Sequence, residues 1–83
     1  MPRYYCHIQQ GEKLIQDPNG VELPSLDAAR MEAFDGIRDI LAAGIRRGDD
    51  DALDDVLIIT DETGRELMTI PFTEALPPRL RRP

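Results

Sequence analysis

The sequence predicts an α+β fold: a small antiparallel sheet of about four strands with one helix packed on one face, in the order ββαββ. Three observations predict it. Residues 3–9 alternate between two sets of side chains, which is the period of a strand with one drier face. Residues 26–47 carry apolar side chains at helical spacing, between a serine that can cap and a glycine that can stop. Residues 56–60 and 65–70 are strand-like runs on either side of a turn. The chain has 83 residues, the length of one domain. Residues 1–76 are expected to form that domain, and 77–83 a disordered tail of prolines and arginines.

The first strand places Tyr4, Cys6 and Ile8 on one side, and Tyr5, His7 and Gln9 on the other. Gln10-Gly11-Glu12 reads as a turn, and Lys13 to Gln16 as a second strand. Asp17-Pro18-Asn19-Gly20 is a strong turn signal: Asp bonds ahead to the backbone, Pro fixes φ, and Asn and Gly tolerate positive φ. Val21 to Leu23 is a short extended piece, kept extended by Pro24.

Ser25 is the expected N-cap of the helix, with Asp27 in the first turn, where the helix dipole favours it. At about 100° per residue, Leu26, Ala29, Ala33, Ile37, Ile40, Leu41 and Gly44 fall on one stripe, with Phe34 and Ile45 on its shoulder. Arg46 and Arg47 suit the last turn, and Gly48 is the expected stop. Arg30 interrupts the stripe and is expected to pair with Glu22 or Glu66, or to hold an anionic ligand. The acidic run from Asp49 to Asp55 reads as a solvated loop. Counted from Asp49, it has Asp54 and Thr60 where a calcium loop needs glycine and glutamate. Val56 to Thr60 is the driest strand, Asp61-Glu62-Thr63-Gly64 turns it, and Pro71 ends its antiparallel partner. Two segments, 17–23 and 61–67, share the pattern D-x-x-G-x-E-L, read as two turns meeting the same backbone requirement.

Charge and composition narrow the function. The net charge is -6, divided into -9 on residues 1–76 and +3 on the tail. An acidic body repels nucleic-acid phosphates, so nucleic acid is an improbable partner, and only Arg79, Arg81 and Arg82 offer it an attachment. No apolar run is long enough for a membrane span. One cysteine and no secretory signal point to the cytoplasm. Adjacent strand residues diverge, so Cys6 and His7 neither share a metal nor form a nucleophilic pair. No phosphate loop, nucleophile elbow or metal pair is present, so no enzyme, cofactor or catalytic residue is assigned. The candidate ligand-binding residues are Tyr5, His7 and Arg30.

One helix cannot cover a whole four-stranded sheet. The other face, with Tyr5, His7 and Leu57 or Ile59, is expected to be partly apolar and to meet a second copy or another protein. The expected function is a non-enzymatic protein-interaction or regulatory module. The alternatives are weak nucleic-acid binding through the arginine tail and small-molecule binding by His7 and Arg30.

Met1-Pro2-Arg3-Tyr4-Tyr5-Cys6-His7-Ile8 resembles the "MPRYFFHV" opening of short bacterial proteins in a domain-of-unknown-function family. Gly20 to Arg30 resembles its "G-x-E-L-P-D-L-x-A-A-R" segment, and Val56 to Phe72 its closing hairpin. The resemblance spans roughly residues 1–76 and implies a fold without an established activity. Residues from Tyr4 to about Ile45 are more weakly similar to HicB-like antitoxin domains, which lends some weight to an interaction role.

Overall fold

A computed structural model describes residues 1–81. The expected architecture is present. Strands β1 (Arg3–Gln10), β2 (Lys13–Ile15) and β3 (Val21–Glu22) precede the helix α1 (Leu26–Arg47), and β4 (Val56–Thr60) and β5 (Glu66–Pro71) follow it. The antiparallel sheet has five strands, one more than expected, because the extended piece at Val21 pairs with β1. Its order is β2-β1-β4-β5, with β3 also on β1. The longest strand therefore lies beside the driest one at the centre of the sheet, which maximises the apolar surface buried there.

The alternation along β1 decides which face is buried. Cys6 lies opposite Ile59, and Ile8 opposite Leu57, across the β1–β4 ladder. Both β4 residues are buried, so their side of the sheet is the core side. This corrects the expectation that Leu57 or Ile59 would face outward. The outward β4 residues are Val56, Ile58 and Thr60, opposite Gln9, His7 and Tyr5. A one-residue difference in register inverts a strand, and no local pattern distinguishes the faces of a run that is apolar at four of its five positions.

The helix covers the core side with Ala29, Ala33, Ile37, Leu41 and Gly44, all from the expected stripe. Two alanines let its axis lie close to the sheet, and Gly44 gives room to the chain turning back at Asp49. Ile40, expected on the stripe, is 37% exposed, and Ile45, expected on its shoulder, is 70% exposed, so the buried stripe is narrower than the sequence pattern. Ser25 Oγ accepts the Ala28 N–H at 3.1 Å. At the other end, Gly48 takes a left-handed conformation (φ 81°) and donates to the Ile45 carbonyl, while the Asp49 N–H reaches the Gly44 carbonyl. These paired bonds close the last turn, and a side chain at Gly48 would be strained there.

A short 3-10 turn at Phe72–Ala75 follows β5 and completes the core. Phe72 and Ala75 are buried, and the Phe72 N–H donates to the Asp55 carbonyl at 3.0 Å. The acidic run contains a 3-10 turn at Asp51–Asp54, and Asp55, 8% exposed, accepts the Gln10 side chain at 3.3 Å. Of the 77–83 tail, residues 77–81 contain a further 3-10 turn at Pro78–Leu80 and Arg81 bonds back to the chain, while residues 82–83 lie outside the described residues.

Phe72 is the largest fully enclosed side chain. Phe72→Ala is expected to remove about 3–5 kcal/mol of stability, against less than about 0.5 kcal/mol for the exposed Ile45→Ala, read as midpoints of urea unfolding.

Candidate functional site

The site begins with a gap in the ladder. β2 and β3 pair with the same edge of β1, one after the other. Tyr4 faces Val21 and Ile8 faces Ile15, so four steps along β1 answer to six along its neighbour. The excess residues loop out between Ile15 and Val21, and the edge of β1 in between has no strand partner. Asp17 fills the gap. Its Oδ2 accepts the Cys6 N–H at 3.2 Å, and its Oδ1 accepts the N–H groups of Asn19 and Gly20, each at 3.1 Å. One carboxylate therefore stands in for a missing strand and also closes the loop. Gly20 is left-handed (φ 66°), and a Cβ there would lie 2.8 Å from the Tyr4 carbonyl oxygen, so the loop can sit against β1 only with glycine at this position.

The loop also sets His7. The Asp17 N–H donates to His7 Nδ1 at 3.0 Å, and His7 Nε2 lies 3.1 Å from Thr60 Oγ1. A backbone N–H can only donate, so Nδ1 is the acceptor. The neutral ring then carries its proton on Nε2 and donates it to Thr60. Both ring nitrogens are engaged inside the protein, which suits His7 to a structural role in the sheet face. Tyr5 lies beside it with the rings stacked, centroids 6.3 Å apart and planes 10° from parallel.

These two rings form the floor of a hollow of about 610 Å³, walled by Asp17 and Pro18 on one side and by Asp61 to Gly64 on the other. A smaller hollow beside it, about 190 Å³, adds Leu14, Ile58 and Glu66. The second wall is a turn built as the first is. Asp61 Oδ1 accepts the Thr63 N–H at 2.8 Å, the Thr63 hydroxyl at 2.6 Å and the Arg65 N–H at 3.1 Å. The repeated D-x-x-G pattern thus marks the two carboxylates that shape the walls. The sequence reading treated them as turn residues only, although the repeat was the signal that could have singled them out.

Both carboxylates are held in their charged form. Desolvation works against ionisation of Asp17, but the N–H groups of Gly20, Cys6 and Asn19, with His7 nearby, outweigh it and lower the carboxyl below its ordinary value. At Asp61 the Thr63 hydroxyl is the largest influence and lowers the value. Cys6 moves the other way: burial pushes its thiol up, and Asp17 and Glu32 add to the effect, so it stays protonated and poorly nucleophilic. Among the described residues, no three His, Cys, Asp or Glu side chains group as a metal site.

Arg30 lies elsewhere. Glu22, offered as its partner, pairs with Arg3 at 2.8 Å instead, and Arg30 makes no ion pair with any described residue. It is exposed, and its guanidinium carbon lies 4.7 Å from the centre of the Phe34 ring one turn along. The physical reason is helical geometry: the residue after Ala29 turns away from the sheet, out of reach of Glu66. No cavity lined by His7 includes Arg30, so Tyr5 and His7 are brought together and Arg30 is not. Of the tail arginines, Arg79 is exposed, Arg81 donates to the carbonyls of Leu76 and Glu74, and Arg82 lies outside the described residues.

Asp17→Ala is expected to cost about 2 kcal/mol in urea unfolding, because three backbone N–H groups lose their acceptor together. Its folded carboxyl titrates below the unfolded value of about 3.8. The stability it contributes is therefore fully present above that value and is lost as the pH falls through the lower folded one. Asp17→Ala should accordingly flatten part of the loss of stability below about pH 4. An unchanged midpoint would show that the loop is held by other contacts.

No curated protein and no solved structure matches the chain. The family model described as "Domain of unknown function (DUF6894)" matches residues 3–73. With that match running from the first strand through the 3-10 turn after β5, the chain belongs to the DUF6894 family.

Proposed function

We propose that the protein is a non-enzymatic interaction module that receives a basic segment of another protein on the open face of its sheet. The observation that carries this reading is the combination of an uncovered face and a one-sided charge. The helix occupies one side only, and the other displays Tyr5, His7, Ile58 and the 44%-exposed Leu14. The residues lining its two hollows include four carboxylates, of Asp17, Asp61, Glu62 and Glu66, and no lysine or arginine. Flat rings beside fixed carboxylates suit a guanidinium or ammonium group, which gains from both.

Charge also favours a different protein over a second copy. Two copies meeting through this face about a two-fold axis would bring their acidic walls together, which is repulsive. The single cysteine, held as a thiol, suits work in a reducing cytoplasm.

The test is a titration of the full chain, followed by backbone NMR, with a blocked peptide alternating Arg and Val and a second alternating Glu and Val. The expected result is that only the Arg peptide shifts the signals of Tyr5, His7, Thr60 and Thr63. Glu62→Gln, which removes a charge from an exposed position without touching the turn's hydrogen bonds, should weaken the response several-fold. Equal responses to the two peptides, or none on this face, would overturn the basic-segment reading. A concentration-dependent dimer in light scattering, with the same signals shifted, would replace the basic partner with a second copy.

A further inference from the structure

On the far side of the molecule one cleft has more bases than acids in its lining. Arg30, Phe34 and Arg38 lie one turn apart on the exposed surface of α1, and the guanidinium carbons of both arginines lie over the same ring, at 4.7 and 5.6 Å from its centre. The chain after β5 brings a third arginine to the same cleft, which has a volume of about 200 Å³. Arg38 donates through Nε to the Ala75 carbonyl at 3.0 Å, and Arg81 donates to the carbonyls of Leu76 and Glu74, each at 3.0 Å. These bonds anchor two guanidinium groups to the backbone and leave part of each free to donate outward. Arg30 leans on the ring and bonds to no described residue.

Like charges converge here without matching neutralisation. Asp35 pairs with Arg38 at 3.7 Å in an exposed position, and Glu74, also in the lining, lends its backbone carbonyl to Arg81, so two carboxylates face three guanidinium groups. In a chain with 16 acids against 10 bases, a cleft lined by three arginines and two carboxylates carries a local excess of positive charge.

We propose that this cleft binds a phosphate group, with Arg30, Arg38 and Arg81 supplying the donors and Phe34 holding two of the guanidinium planes in place. Arginine suits the role because its planar fork presents paired donors to phosphate oxygens. The ring spares Arg30 some of the ordering it would otherwise undergo on binding. The site lies across the molecule from the open sheet face and is independent of its partner.

The probes are inorganic phosphate and a single-stranded oligonucleotide, titrated into the full chain while the side-chain Nε–H signals of Arg30, Arg38 and Arg81 are followed. Sodium chloride at matched ionic strength is the reference. Saturable shifts of all three signals with inorganic phosphate, beyond those in chloride, are expected. Arg30→Gln, which breaks no internal hydrogen bond, should weaken binding roughly fivefold without moving the melting temperature. Shifts equal to those in chloride, or binding unaffected by Arg30→Gln, would overturn the proposal. If the oligonucleotide binds much more tightly than inorganic phosphate and steeply loses affinity with salt, the phosphate is that of a nucleic-acid backbone. If the two bind alike, it is that of a small molecule.

Discussion

The Asp17 carboxylate is the contact on which the rest of this structure depends. A five-stranded sheet in a chain this short has little length to spare, and two of its strands share one edge of β1. Where they part, a backbone N–H would be left without an acceptor, and that omission is costly in a partly dry site. Asp17 answers it with Oδ2 and uses Oδ1 to close the loop that caused the gap. Its own N–H then fixes the ring of His7. Edge pairing, loop closure and the orientation of a side chain on the open face thus follow from a single residue.

The two faces of the sheet diverge from that point. On the helix side, alternation delivers Tyr4, Cys6 and Ile8 to a core completed by β4, the helix and Phe72. On the other side the same alternation lays out Tyr5 and His7 as a pair of stacked rings. The loops at either end of this pair carry carboxylates held ionised by hydrogen bonds, from the Thr63 hydroxyl first at Asp61 and from backbone N–H groups at Asp17, so their charge belongs to the fold as much as to the surface. Positive charge is collected beyond the helix, where Phe34 and the chain after β5 gather three arginines. The two clefts therefore differ in the sign of their lining, four carboxylates without a lysine or arginine on the open face against three arginines and two carboxylates beyond the helix.

Much of this was legible in the sequence, and the parts that were not share a cause. The helix ends could be read because Ser25 and Gly48 act within one turn of themselves. The division of β1 into two faces could be read because its pattern alternates. The inward side of Val56 to Thr60 could not, since nearly every position is apolar and only pairing with β1 selects Leu57 and Ile59 for the core. Arg30 was misplaced because the stripe was drawn without knowing how narrow a contact two alanines would make. Asp17 was recognised as a turn residue, but its bond to Cys6 joins residues that only the sheet brings together.

The broken edge also bears on how the chain avoids its own kind. A straight, unpaired strand edge invites another molecule to extend the sheet, which is how soluble proteins begin to form fibres. Here the outer line of β2 and β3 is interrupted by the loop at Asp17, so no incoming strand can keep its register across the whole edge. At the opposite border, β5 ends in a proline that offers no donor. The irregularity that creates the hollow doubles as a guard against runaway self-assembly, and a change that straightened it would trade a recognition surface for an aggregation risk.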